Sequence, residues 1–115
     1  MASFERFDVV RVPFPFTGRQ SEKKRPALVI SDGGAFNRPA GHSVMAMITW
    51  AGHAAWPLDV PISDLESAGL PAPSIVRCKL FALDHRLVRG KLGQLAEKDR
   101  AKVQRAMRLL LAEGK

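Results

Sequence analysis

The sequence predicts a small, mainly β fold: a barrel of short antiparallel strands closed by one C-terminal amphipathic helix. Three observations predict it. Short apolar runs recur from residue 7 to residue 95, with turn-rich loops between them. No helix-length segments alternate with those runs, as βα units would require. From residue 97 onward the apolar residues return at helical spacing instead. At 115 residues, 46% hydrophobic and 25% charged, the chain has the size and composition of one globular domain, taken as 1–115.

The first strand is FDVVRVPFPF, residues 7–16. Val10, Val12, Phe14 and Phe16 point one way and Arg11, Pro13 and Pro15 the other, the alternation of a half-buried strand. Its prolines remove ladder donors, so it is expected to end at an edge or a bulge. Residues 17–24 form a polar loop, and Pro26 to Ser31 a fully buried strand. A turn-rich connection at 32–41 leads to the apolar strand SVMAMITW, 43–50, and a turn at 51–56. PLDVPIS, 57–63, alternates through Leu58, Val60 and Ile62, again as a strand. Ser63 as N-cap with Glu66 fits a capping box for one helical turn over 63–69. SIVRCKLFAL, 74–83, is a strand, and the glycine-broken stretch 85–95 reads as a strand with bulges. In the tail Val103, Met107, Leu110 and Leu111 recur at helical spacing between Glu97 and Ala112. Lys98, Arg100, Lys102, Arg105 and Arg108 fill much of the rest, and Gly114 is a plausible stop.

No stretch reaches the roughly 18 apolar residues of a membrane helix. The N-terminus lacks a basic segment followed by an apolar one, so no signal peptide is expected. Cys78 is the single cysteine, which rules out an internal disulfide and makes a reducing cytoplasm the default. Cys78 and the scattered His42, His53 and His85 do not match a zinc site, and no cofactor motif is present. The net charge of +7 is unevenly spread. Residues 1–30 carry six cations and three acids, residues 31–74 one cation and four acids, and residues 75–115 eleven cations and four acids. A chain whose ends converge would then present one positive face, as expected for a nucleic-acid partner; a basic solvated surface with no partner reads equally well.

Within that excess three cationic elements stand out: Lys23-Lys24-Arg25 driven into an aliphatic run, Arg77 two residues before Lys79, and the basic helix face. Each has a plainer reading. The first suits a loop-to-strand boundary, Arg77 suits an ion pair with an acid such as Asp84, and the helix face suits solvent. Asp59, Asp64 and Glu66 read as solvated surface acids. There is no Gly-x-Ser-x-Gly, no phosphate-cradling glycine loop, no EF-hand and no His-Glu-x-x-His. Cations without a metal suit one reaction well, the cleavage of RNA by its own 2′-OH. The attacked phosphate gains negative charge, and arginine presents five donors in a fixed fork to hold it. Thr49, at the end of its strand, is placed to add a hydroxyl, although a β-branched residue also suits a strand for its own sake.

DVVRVPFPFTG, then RPALVIS, then a strand ending Ile48-Thr49, then PSIVRCKLFALD and a closing amphipathic helix together resemble the MazF/PemK toxins of type II toxin–antitoxin systems, from Phe7 to Leu111. The resemblance implies an SH3-like antiparallel β-barrel of the PemK/CcdB kind, a homodimer, and a metal-independent, sequence-selective endoribonuclease acting on single-stranded RNA. Products would carry a 2′,3′-cyclic phosphate and a 5′-hydroxyl. The catalytic positions fall on Arg25 and Thr49. Arg77, Lys79, Lys24 and Arg19 are assigned to the RNA backbone, and Trp50, or Trp56, to stacking on an unpaired base. His53 and Glu22 are the candidate acid or base residues. The partners implied are single-stranded RNA and an adjacent, acidic antitoxin, with no membrane and no cofactor. The chain departs from the family pattern in three places, one being the loop before Arg25, which lacks the glycines many members have and carries its acid, Glu22, closer to the arginine than usual. Lys79 stands where the PemK branch has an acid after Arg-Cys, and Phe7 stands where glycine is usual. The CcdB-like alternative, a gyrase-binding toxin, uses an aromatic residue near the end of the last helix, and LLLAEGK has none. A non-catalytic nucleic-acid-binding module of the same fold is the other alternative.

Overall fold

The computed structural model describes residues 4–14 and 23–113. Its strands are β1 (Asp8–Phe14), β2 (Lys23–Val29), β3 (His42–Trp50), β4 (Val60–Pro61), β5 (Ser74–Asp84) and β6 (Lys91–Gln94). They form one antiparallel sheet in the order β4–β5–β3–β2–β1–β6. The helical pieces are a π-type turn Gly33–Asn37, α1 (Arg38–Ala40), α2 (Leu65–Ala68), a 3₁₀ turn His85–Leu87 and α3 (Glu97–Leu110). The expected barrel is present as a curled half-barrel. Its two edges are bridged by α2, which follows β4 and packs on β6. Two glycines allow the approach: a Cβ on Gly69, itself at φ 72°, would overlap the Leu92 carbonyl, and one on Gly93 would overlap that of Ser67.

β3 explains why the run VMAMI is apolar without alternation. Ala46 and Ile48 enter the core beneath α3, together with Val9, Leu28, Val76, Val103, Ala106 and Met107. Met45 enters a second cluster on the opposite face with Val10, Val12, Ala27, Val29 and Leu83. A strand covered on both faces reads as a continuous hydrophobic run.

Several expectations are corrected. β1 is not an outer strand of the sheet, but the expected edge or bulge is found within it: its register to β6 shifts between Val9 and Val10, and its proline end has β2 alone beside it. Pro13 is tolerated because β6 pairs only with Asp8–Val10, so past Arg11 the ladder of β1 runs to β2 alone. β2 starts at Lys23, so Lys23 and Lys24 belong to the strand rather than to the loop expected at 17–24. The strand expected at 57–63 shrinks to Val60–Pro61, because Leu58 turns the chain through φ 66°. Asp64, not Ser63, caps α2, accepting from the Ser67 N–H. The stretch 85–95 divides into a 3₁₀ turn and β6. Leu110 and Leu111 lie exposed at the end of α3, while Ala106 and Asp99 take the inner positions. Pro15, Phe16 and Gly114 lie outside the described residues.

Two contacts fix α3 to the sheet. The buried Asp99 carboxylate accepts from the Ser63 N–H (3.0 Å), the Ser63 hydroxyl (2.6 Å) and the Asp64 N–H (3.0 Å), with Lys102 Nζ at 3.6 Å. Phe7, the departure from glycine, sits at φ 76°. It is buried, with the guanidiniums of Arg6 and Arg100 over its ring at 4.7 and 5.3 Å.

Both contacts yield measurable expectations. A left-handed non-glycine residue costs about 1–2 kcal/mol, whereas emptying a buried Phe site costs about 3–5 kcal/mol. Phe7→Gly is therefore expected to lower the unfolding free energy despite relieving the backbone; a variant more stable than the parent in urea would show strain to dominate. For Asp99, burial raises the carboxyl, but the Ser63 and Asp64 hydrogen bonds and the Lys102 charge outweigh it and hold it below its usual 3.8. Its stabilisation is thus complete above the unfolded value and lost as pH falls through the depressed one. Asp99→Asn is expected to cost about 1–3 kcal/mol at pH 7, the gap to the parent narrowing in urea melts on acidification below the usual carboxylate range.

Candidate nucleic-acid site

The site lies where β2, β3 and β5 end together. Pairs Ala27–Met47, Leu28–Ala46 and Val29–Met45 set the register of β2 against β3. The same register, carried two residues past the last pair, brings Arg25 level with Thr49. There β2 pairs only with β1, through Val12–Arg25, Pro13–Lys24 and Phe14–Lys23. On the other side Thr49 pairs with Ile75 and Met47 with Arg77. Side chains of a strand alternate between faces. Arg25 therefore shares the face of Ala27 and Val29, Thr49 that of Met45 and Met47, and Arg77 that of Met47. One face of three adjacent strands carries all three residues.

Lys23, Lys24 and Arg25 are exposed. Among the described residues Arg25 makes no hydrogen bond or ion pair. Thr49 is half-buried beside it. Trp50 follows at 58% exposure, its ring edge-to-face with that of the exposed His53 at 5.7 Å. Lys79 is exposed on β5, where two residues, Cys78 and Lys79, bulge between the pairs Ala46–Leu80 and Met47–Arg77. Arg19 and Glu22 lie outside the described residues.

Arg77 differs from Arg25 in having a partner, and the partner is Asp59 rather than Asp84. Its Nε and Nη2 donate to the two Asp59 oxygens at 3.2 and 3.0 Å, and Nη2 also donates to the Ala54 carbonyl at 2.7 Å. The ion pair is nearly covered, with side-chain exposures of 12% and 11%. Asp84 is taken by Arg86 at 2.7 Å. The acids expected as one solvated cluster thus divide, Asp59 to Arg77 and Asp64 to the cap of α2. Burial raises the Asp59 carboxyl, yet the Arg77 hydrogen bond, the Trp56 N–H and the Arg77 charge together keep it below its usual value. Trp56 completes the group, with the Arg77 guanidinium 5.1 Å from its ring centroid. Sequence reasoning missed Asp59. Its available signal was an aromatic and an acid three apart across Pro57 in the turn that follows Thr49.

The basic face of α3 does not join this surface. Lys98, Lys102, Arg105 and Arg108 are exposed on a helix that covers the other face of the sheet. The cations of α3 therefore lie apart from Arg25, whereas Arg77 and Lys79, from the same basic C-terminal third, lie on β5 beside it. Among the described residues no three His, Cys, Asp or Glu side chains group as metal ligands, and no helix is long and apolar enough to cross a membrane.

A profile of the PemK-like, MazF-like toxins of type II toxin–antitoxin systems matches residues 5–111. The chain belongs to this toxin family. Among solved structures, an endoribonuclease from a mycobacterial species superposes with a TM-score of 0.76 at 16% identity, covering 100% of this chain and 97% of the other. A mycobacterial endoribonuclease in complex with its cognate antitoxin gives 0.75 at 17%, covering 97% and 96%. A MazE–MazF complex from Deinococcus radiodurans (Form-III) gives 0.75 at 20%, covering 96% and 98%. At these identities the likeness is one of fold. Comparison of the sequence with curated proteins gives no match.

In this PemK/MazF-family toxin the half-buried Cys78 thiol is pushed up by burial and by the Asp59 charge. Asp59→Asn removes that charge. It is expected to speed alkylation of Cys78 by iodoacetamide at pH 8; an unchanged rate would mean that Asp59 does not lie beside the thiol in solution.

Proposed function

We propose that this toxin is an endoribonuclease that cuts single-stranded RNA without a metal, by attack of a 2′-OH on the adjacent phosphate. The 2′-oxygen forms the new bond to phosphorus, the bond to the 5′-oxygen breaks, and a proton passes to that oxygen. The products are a 2′,3′-cyclic phosphate and a 5′-hydroxyl. The nucleophile belongs to the substrate, so the protein has to position the phosphate and balance its charge. Arg25, unpaired among the described residues and level with Thr49, is the observation that carries the reading. Its guanidinium binds the phosphate as charge develops. It is not a general base, since guanidinium keeps its proton in proteins. Thr49 donates its hydroxyl to a phosphate oxygen. Lys24, Lys79 and Arg19 hold the flanking backbone, Arg77 supports that surface from below, and Trp50 stacks on an unpaired base. The 2′-OH proton leaves to His53, on the loop after Thr49, or to Glu22.

The family and the solved relatives support the rest of the reading. Endoribonucleases of this fold occur alone and with a cognate antitoxin. An acidic antitoxin segment with apolar anchors would compete with RNA for the same cations, and so silence the toxin. We place the active form in the cytoplasm as a homodimer.

Incubation of long single-stranded RNA with the purified protein in EDTA tests the reading, and primer extension then maps the cut. Parent protein is expected to give 5′-hydroxyl fragments. Arg25→Ala is expected to lose about 100- to 1000-fold in rate, as for removal of one preorganised charge-stabilising donor. Intact RNA with the parent would end the ribonuclease reading, and equal cutting by Arg25→Ala would remove that residue from it.

A further inference from the structure

We propose that Trp56, Arg77 and Asp59 form a rigid subsite for one unpaired nucleobase, distinct from the phosphate contacts of Arg25. The inference rests on the reading of single-stranded RNA as substrate. Its basis is the way the three side chains lock one another. Trp56 and Asp59 close a four-residue turn: the Trp56 N–H donates to Asp59 Oδ2 at 2.8 Å, and the Asp59 N–H donates to the Trp56 carbonyl at 3.3 Å. Leu58, inside that turn, takes φ 66°, a conformation a branched residue adopts only where its surroundings demand it. Arg77, anchored in β5, reaches across to both Asp59 oxygens and lies against the indole. The turn is thereby held to the sheet on the face that carries Arg25 and Thr49.

Charge decides what such a unit binds. The guanidinium of Arg77 is matched by a carboxylate about 3 Å away that stays ionised, so the pair offers a passing phosphate little net attraction. What remains open is the indole, 45% exposed although one side of its ring is occupied by Arg77. A large aromatic surface left in water, yet fixed in place, gives a base a partner without ordering entropy to overcome. Base–aromatic stacking is the ordinary means by which single strands are held where no hydrogen-bond code is used. A cation on one face of the indole and a base on the other complete a three-layer stack. Arg77 is thus a positioning residue for Trp56, and Asp59 a positioning residue for Arg77.

The chain has two tryptophans, so Trp50→Phe, which keeps a ring for stacking at position 50, leaves Trp56 as the only indole and makes it a reporter. The probe is a fluorescently labelled 2′-deoxy oligonucleotide of a cleaved RNA, or a mixed-sequence single strand where no cut is found. Its binding is followed by label anisotropy. Trp56 emission is expected to be quenched in step with binding. An abasic residue at one position, and at no other, should abolish the quench, and there it should weaken binding about 5- to 150-fold. In Trp56→Ala, with Trp50 restored, that abasic penalty should vanish; Asp59→Asn should reduce it without moving it to another position. Unquenched Trp56 at saturation overturns the proposal, as does a full abasic penalty in a folded Trp56→Ala. Should Trp56→Ala fail to fold, the quench in Trp50→Phe decides alone. Cutting without the quench would remove this subsite and keep the ribonuclease; the quench without cutting would do the reverse.

Discussion

Met45, Ala46, Met47 and Ile48 are all buried, and this leaves β3 no face to show to water. A strand so enclosed has only its ends free, and a one-residue slip would exchange the two cores it serves. The register of β2 and β5 against it is therefore fixed from both faces at once. That constraint places the site. Arg25 stands level with Thr49 because Ala27 has to sit across from Met47, and Arg77 faces the same way because Met47 is its direct partner. The apolar run carries no chemistry, but its packing sets which polar side chains meet beyond its end.

The two arginines of the site show how different the same side chain becomes with its neighbours. Arg77 is covered, matched by Asp59 and stacked on Trp56. Arg25 is exposed and, among the described residues, unmatched. A covered pair spends its attraction offsetting the loss of hydration of both partners. An exposed unmatched guanidinium keeps its full charge for an anion that arrives with a lower demand for water. The division assigns rigidity to one and charge to the other. Lys79, at the position of an acid in the PemK pattern, fits this division, since the acid beside Arg77 comes from Asp59, 18 residues earlier in the chain.

How much of this was legible follows from how local each cause is. The junction Lys24-Arg25-Pro26-Ala27 was readable because charge against aliphatic sequence marks where cover ends. The burial of β3 was readable from its unbroken run, and α3 from its period. Asp59 was not, because its partner is set by a left-handed Leu58 that no propensity forecasts and by a strand 18 residues on. Ser63 was misassigned as a cap because its hydroxyl answers to Asp99, 36 residues away, rather than to the turn it precedes. The edge or bulge expected of β1 was readable because proline forbids a ladder bond at its own N–H, and β6 stops short of Pro13 after a bulge at Val9 and Val10. Leu110 and Leu111 kept the helical period but ran past the end of the core. The misreadings of Asp59 and Ser63 applied a local rule where a contact from a distant segment decides.

The same geometry bears on the net charge of +7. The cations of α3 lie across a packed layer from Arg25, and packed layers stand about 10 Å apart. Screening at physiological salt has a length of about 8 Å. On the proposed reading, charges on α3 would therefore add little to the energy of an RNA seated at Arg25. Their field still acts on a strand approaching from solution, where the whole protein is seen as positive and encounter is accelerated. Composition thus speaks for how fast a polyanion arrives. On the proposed reading, whether it is held depends on the few cations that share a face with Thr49, and among the described residues these include Lys23 and Arg25 of β2 and Lys79 of β5.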